Sequence, residues 1–337
     1  MHTQTLQLRS PYLIFLGDES RATYAKTGKG IADWRPELCA GQLRLSDEAL
    51  DLNLPDMSVR VAADSGIGSL IVGTALVGGS IPDGWLDTLC DAAAAGIDIV
   101  AGLHTRLDSI AVLRDAAATG GGKLIDVRIP PTDLPVASGK KRSGKRLLTV
   151  GTDCALGKKY TALQLERDMR AAGFSADFRA SGQTGIMIAG TGIPIDCVVA
   201  DFISGAAEML SPDNNPQHWD IIEGQGSIYH PGYAAVSHGL LIGSQADVFV
   251  VCHAGGRTHI EGWEHYPLPS IGEVIERTIA IGSLTNPNIR CAGISVNTLS
   301  IAAGEREAYL AQLSVKYGLP CVDPMVNGTS AIIDQLS

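Results

Sequence analysis

Residues 147–161 read LLTVGTDCALGKKYT, and this stretch decides the fold class. An apolar run, 147–150, meets Gly151, then a small polar loop, then Gly157-Lys158-Lys159. Helical spacing follows at once through Thr161, Leu163, Leu165 and Met169. Strand, glycine-rich turn, lysine and helix is the arrangement of a phosphate-binding loop. Its backbone N–H groups and the positive helix end face the anion, and the lysine adds a point charge. The strict motif has four residues between its glycines and ends in Lys-Ser/Thr. Here five residues separate Gly151 from Gly157, and Lys159 stands where the hydroxyl belongs. A nucleotide hydrolase or kinase places that hydroxyl on Mg²⁺; a lysine cannot coordinate a cation, and Thr161 comes two residues late. The expected cofactor-binding residues are Gly151, Thr152, Asp153, Gly157, Lys158, Lys159, Tyr160 and Thr161.

Outward from the loop, residues 176–179, 195–200, 219–222, 246–252 and 291–296 read as strands. Several are near-continuous apolar runs, as strands buried on both faces should be. Helical spacing covers 158–172, 204–210, 271–281 and 304–317. An open α/β sheet binds ligands beyond the carboxyl ends of its strands. The residues expected there are Asp153, then Ser181-Gly182-Gln183-Thr184-Gly185, Asp201, Glu223-Gly224-Gln225-Gly226-Ser227, the run from His253 through Arg257 to His259, and Asn297-Thr298.

The first half alternates in the same way: strands at 12–16, 69–72, 97–101 and 123–127, helices at 85–95 and 107–118. Such alternation means βαβ units and a parallel sheet. Residues 129–145, IPPTDLPVASGKKRSGK, break it with prolines, glycines and lysines, as a linker does. The expected organisation is therefore α/β in two domains: a Rossmann-like parallel sheet over 1–135, a linker at 136–146, and a P-loop NTPase-like parallel sheet over 147–337. Lys26-Thr27-Gly28-Lys29-Gly30 reads as a surface loop that only superficially resembles a phosphate loop. Asp33-Trp34-Arg35-Pro36 offers an aromatic and a cation to close over a neighbouring cleft, and Leu76-Val77-Gly78-Gly79 a backbone approach to a ligand.

Composition bounds the partners. A net charge of −10 leaves no basic stripe for nucleic-acid phosphates. The local cluster Lys140-Lys141-Arg142 with Lys145-Arg146 reads as a solvated linker. Seven scattered cysteines without a CxxC pair point to reduced thiols and neither a disulfide framework nor a zinc site. No run reaches membrane-spanning length and the first residues lack a secretory pattern, so the cytoplasm is the expected compartment. No metal, nucleic-acid or membrane partner is expected; a homo-oligomer is, because closed symmetric assemblies are common.

A phosphate loop without its magnesium hydroxyl suits a diphosphate that never reacts. Coenzyme A carries one, and its chemistry happens at the thioester. Asp153 is open to three roles: accepting a proton, holding a substrate ammonium, or capping its turn. Glu223, a carboxylate at a strand end among glycines, has no evident structural task there. Arg257 suits a substrate carboxylate by bidentate pairing, and a histidine suits proton removal from an amine.

Two likenesses extend this. Gly151–Lys159, GTDCALGKK, is similar to the G-T-D-x-x-x-G-K-T loop of dethiobiotin synthetase, and Glu223-Gly224-Gln225-Gly226 to that family's E-G-x-G-G segment. Lys159 departs from it. The whole chain resembles a two-domain family whose characterised members are D-glutamate N-acetyltransferases. The stretches ADWRPE (32–37), GTDCALGKKYT (151–161), SGQTG (181–185), DFISGAAE (201–208), EGQGS (223–227), HPGY (230–233) and CHAGGR (252–257) carry that likeness. It implies transfer of an acetyl group from acetyl-CoA to the amine of a D-amino acid, D-glutamate foremost. The likeness assigns no catalytic residue. By residue chemistry the catalytic candidates are Glu223, His230 and Asp201. The substrate-binding candidates are Gln183, Thr184, Gln225, Ser227, His253 and Arg257, with backbone N–H groups of 224–227 facing the oxyanion. An acyl-enzyme on Cys154 or Cys252 is weaker than a small buried role for either. The competing readings are an ATP- and Mg²⁺-dependent ligase or kinase of the dethiobiotin synthetase type and a non-catalytic nucleotide sensor.

Overall fold

The computed structural model describes residues 6–22, 24–74, 81–103 and 105–336; the segment Leu76-Val77-Gly78-Gly79 lies outside them. The chain forms two compact units. Among the described residues, one holds 6–131 together with Gln183–Pro194. The other holds Thr132–Gly182 and everything from Ile195 on. The division thus differs from the expected boundaries. The supposed linker packs inside the second unit, and a dozen residues from the middle of the expected C-terminal domain belong to the first.

The first unit is built on a five-stranded parallel sheet, ordered Cys39–Arg44, Tyr12–Gly17, Ser69–Val72, Asp98–Ala101, Leu124–Asp126. Every residue of Tyr12–Gly17 and of Ser69–Val72 is buried, which is why both read as unbroken apolar runs. Trp85, on the helix Asp83–Ala94, sets its ring edge-on to Phe15 at 5.1 Å, and its indole N–H donates to Asp18. The expected surface loop at 26–30 is instead the start of the helix Lys26–Trp34. Two glycines in five residues weaken its helix signal; burial of Ile31 and Trp34 in the core overrides it. Trp34, 5% exposed, is therefore core and cannot close over a cleft.

The second unit carries a six-stranded sheet, parallel throughout, ordered Cys321–Val322, Arg290–Asn297, Val248–Ala254, Lys145–Gly151, Trp219–Ile222, Ala176–Arg179. The strand that feeds the phosphate loop lies at its middle. Residues 195–200 form no strand: they make two 3₁₀ turns, Ile195–Cys197 and Ala200–Phe202. Only Ile195 and Val198 of this run are buried, while Val199 is 67% exposed; a short apolar run of this kind looks the same as a strand in sequence. Asp201, expected at a strand end, is an exposed residue of the second turn. The helix Ala234–Ser244 is a further addition, because its glycines mimic turns. They serve close packing: a Cβ on Gly243 would fall 2.1 Å from the carbonyl oxygen of Ser204, on the neighbouring helix Ile203–Leu210.

The basic cluster is only partly a solvated surface. Arg142 and Arg146 are buried. Arg142 donates to the carbonyls of Ser211, Gly243 and Ser244, at the ends of those two helices. Arg146 donates to Ser211 and to the carbonyls of Ser143 and Pro212. Guanidinium forks thus satisfy orphan helix carbonyls and meet the negative helix ends. Among the described residues all seven cysteines are free thiols, and no helix is long and apolar enough to cross a membrane.

Candidate active site at the phosphate loop

The strand Lys145–Gly151 ends, and the chain must turn within six residues into the helix Lys158–Ala171. Two left-handed residues make that turn, Ala155 (φ 52°) and Gly157 (φ 98°). Gly157 is the N-cap and brings no side-chain cap, so the first N–H groups of the helix are left for a ligand. Lys158 is buried and its Nζ donates to the carbonyl of Asp153 at 2.8 Å, inside the turn. Burial pushes its pKa down, while Cys252, Cys154, Asp153 and Glu223 pull it up. This is a cradle for an anion with its counter-charge in place. It fits a diphosphate.

It does not fit the magnesium of a nucleotide hydrolase. Thr161 Oγ1 is 2.7 Å from Ser295 Oγ and accepts from Cys252, buried within the sheet packing, so it leaves the ligand side of the loop. Lys159 sets its Nζ 4.5 Å from the ring centre of Tyr160. The donor atoms of Asp153, Cys154 and His230 do lie within 4.8 Å of one another. Both Asp153 oxygens are already hydrogen-bonded, however. His230 Nδ1 accepts from the Gly232 N–H at 3.1 Å, which puts the ring proton on Nε2, the nitrogen facing Asp153. A protonated nitrogen is not a metal ligand.

Asp153 emerges as a structural hub, fully buried. Oδ1 accepts from the Cys154 N–H at 2.6 Å, and Oδ2 from Arg257 Nη1 and the Glu261 N–H, each at 2.9 Å. Of its three expected roles, turn-capping is the one realised. Arg257 also donates to the Cys154 carbonyl and pairs with Glu261 at 2.8 Å. Its fork is filled by the protein's own acceptors, which corrects its reading as an open clamp for a substrate carboxylate. His230, 1% exposed, sits between Tyr233 and Trp263 with ring centres 4.6 Å away, 4.0 Å from Asp153. Burial lowers its pKa. With Nδ1 accepting and Nε2 protonated, it orients the loop and is not placed as the base expected of it.

Glu223 is the contrasting carboxyl. It follows the buried strand Trp219–Ile222, next to the loop strand. Oε2 accepts from the N–H groups of Ser181 and Gly182, each at 3.0 Å, and its main-chain oxygen accepts from Ser181 Oγ at 2.6 Å. Burial pushes its pKa up to about 7; Lys159 and the two N–H groups only partly offset this. A carboxyl held near neutrality is suited to proton transfer. Gln225 Nε2 donates to Ser181 Oγ at 2.9 Å. The Gly224 N–H is taken by Thr149 Oγ1 at 2.9 Å, so it cannot serve an oxyanion. Ser227 is buried and accepts from the Tyr229 N–H. His253 Nδ1 lies 3.1 Å from Thr152 Oγ1, and burial pushes its pKa down to about 4.

Gln183 and Thr184 stand apart from this list. They open the helix Gln183–Ala189 of the first unit, where Thr184 Oγ1 is 3.4 Å from Thr27 Oγ1. Sequence reading overlooked Ser181 as the group that orients Glu223, although SGQTG contains it. It also overlooked Trp263 and Glu261, which carry no local signal: their partners His230 and Asp153 come from distant segments.

A two-domain α/β protein whose site is a phosphate loop is the class that fold and geometry define. The chain belongs to the DUF1611 family. The family's C-terminal P-loop domain matches residues 135–333, and its N-terminal Rossmann-like domain matches residues 41–130; both are described as domains of unknown function. Over 331 residues the chain is 46% identical to a protein of Pseudoalteromonas sp. named D-glutamate N-acetyltransferase, covering 98% of this chain and 100% of that one. A protein of the same name from Tritonibacter scottomollicae is 42% identical over 330 residues, 98% and 99% of the two chains. The crystal structure of a DUF1611 family protein from Anabaena variabilis superposes with a TM-score of 0.82 at 32% identity, covering 97% of this chain and 99% of that one.

Proposed function

We propose that this chain is an N-acetyltransferase that moves the acetyl group of acetyl-CoA to the amine of D-glutamate. The observation that carries the reading is identity of 46% and 42%, over nearly the whole chain, to two proteins of that name. The site supports it. The loop from Gly151 to Lys158 suits the inert diphosphate of the donor, and Glu223 stands at the end of the neighbouring strand. Glu223, ionised near neutral pH, takes a proton from the substrate ammonium. The free amine attacks the thioester carbonyl and a tetrahedral oxyanion forms; as the C–S bond breaks, the nitrogen loses its extra proton and the thiolate takes up one, leaving the amide and coenzyme A as its thiol. Asp153, Arg257 and His230 keep the loop in shape and touch no reacting atom.

Free-thiol release tests this with purified protein, acetyl-CoA and D- or L-glutamate. Thiol appearing with D-glutamate, matched by N-acetyl-D-glutamate, is the expected result. Substrate-dependent conversion of ATP to ADP with no thiol release would replace the reading by the ligase or kinase one.

A further inference from the structure

An open cleft of about 750 Å³ lies in the second unit, between the helix Arg306–Tyr317 and the residues that follow the last two strands of the sheet. Thr298, Ala303, Arg306, Leu310, Ala311 and Val326 line it. The size is that of a small-molecule site. Of its lining, Val326 is 59% exposed, and the chain neighbours of its lining residues, Leu299 and Met325, are 81% and 60% exposed. Clustered apolar exposure beside a cavity marks a place where something binds. The cleft is also built rigidly. Buried Asp323 accepts from the Thr298 N–H at 3.0 Å and from its Oγ1 at 2.6 Å, and its other oxygen accepts from the Met325 N–H. Loop and strand end are clamped together before any ligand arrives.

Position suggests the occupant. Thr298 directly follows the strand Arg290–Asn297, at the carboxyl edge of the sheet where the phosphate loop also emerges. Two strand spacings separate Arg290–Asn297 from the loop strand, with Val248–Ala254 between them. The cleft borders Arg290–Asn297 and Cys321–Val322 beyond it, two and three spacings from the loop strand, about 10–14 Å, the span from a diphosphate across a nucleoside. The cleft pairs apolar walls, Leu310, Ala311 and Val326, with the polar groups of Ser314 and Asn327 that a heterocycle can bond. Arg306, its Nε held by the Ile301 carbonyl at 3.1 Å and Glu307 beside it, is among the described residues the one cation of the lining for a ribose phosphate.

We propose that this cleft holds the adenine and phosphorylated ribose of the acyl donor, with the phosphate loop holding the diphosphate of the same molecule. The inference rests on the acetyl-CoA reading and assigns the cleft as the determinant of donor affinity. The amino-acid acceptor does not enter it.

Calorimetric titration of coenzyme A into the wild type, Ala311→Trp and Val326→Asp tests it. Both positions are exposed, so the variants keep their fold, checked by circular dichroism. Coenzyme A is expected to bind at least tenfold more weakly to each variant. Pantetheine 4′-phosphate, which lacks the nucleotide, is expected to bind all three proteins alike. Unchanged coenzyme A affinity in both folded variants overturns the cleft assignment, as does a wild type that binds no coenzyme A. Thiol release by the wild type, measured alongside, separates the two claims. Release with unchanged affinity in the variants leaves the acetyltransfer reading standing without the cleft; weakened affinity without any release does the reverse.

Discussion

Glu223 and Asp153 are both buried carboxylates beside one loop, and their surroundings give them opposite work. Asp153 receives a guanidinium and two backbone N–H groups, so its charge is compensated where it lies. Glu223 receives two N–H groups against full burial and is held at about 7. Replacing Glu223 by Gln should therefore lower turnover by roughly 10²–10⁴-fold, the usual worth of a general base, while coenzyme A binding persists. Wild-type turnover should rise through pH 7 as the carboxyl ionises. The stability effect has its own sign. A carboxyl whose pKa is raised in the folded state contributes fully below its unfolded value, and that contribution is lost as pH climbs from about 4.5 to about 7. Glu223→Gln should thus melt higher than the wild type at pH 8 and gain less or nothing at pH 4; thermal melts at the two values check it. Asp153→Ala leaves the N–H groups of Cys154 and Glu261 without their buried acceptor, while Arg257 keeps Glu261, and should cost about 1–3 kcal/mol by urea titration. Sequence singled out Glu223 as a candidate because a carboxylate at a strand end among glycines has no evident local task; its bonds to the Ser181 and Gly182 N–H groups come from a segment 41–42 residues away. It could not show that Arg257 was already engaged, since the partner lies 104 residues away.

At the scale of elements, the phosphate loop was legible because its signals are local: an apolar run, small residues, a lysine and helical spacing follow one another without a gap. Of the two left-handed residues in the turn, Gly157 is the one whose φ of 98° calls for glycine. Open space surrounds the position a Cβ would take, so an alanine there suffers only from its φ of 98°. Gly157→Ala should cost about 1–2 kcal/mol in a denaturant melt and weaken coenzyme A binding. The misread elements fail for physical reasons as well. The run 195–200 turns only Ile195 and Val198 inward and leaves Val199 and Ala200 exposed, the spacing of 3₁₀ turns and not of a paired strand. The helix Ala234–Ser244 carries glycines for tight packing, which sequence reading takes for turns. The basic cluster conceals two structural arginines among solvated lysines. Arg146→Ala should lose about 3 kcal/mol by urea unfolding, because several carbonyls are left without donors. Lys140→Ala, fully in solvent, should stay within about 0.5 kcal/mol.

For the whole molecule, alternating strands and helices were enough to give two parallel sheets, since parallel strands require crossovers and crossovers here are helices. The strand order of each sheet was not readable, and neither was the membership of residues 183–194, which follow the second strand of one unit yet pack into the other. That exchange is a matter of tertiary contact, to which local periodicity is blind. It removes Gln183 and Thr184 from the unit that carries the loop and leaves Ser181 and Gly182 there to hold Glu223. The account as a whole depends on the loop binding a phosphate group that takes no part in the chemistry. A crystal structure with coenzyme A bound tests that most directly. The diphosphate should lie on the N–H groups around Gly157 and within reach of Lys158 Nζ; a loop bare of phosphate, with coenzyme A seated elsewhere on the protein, would contradict it.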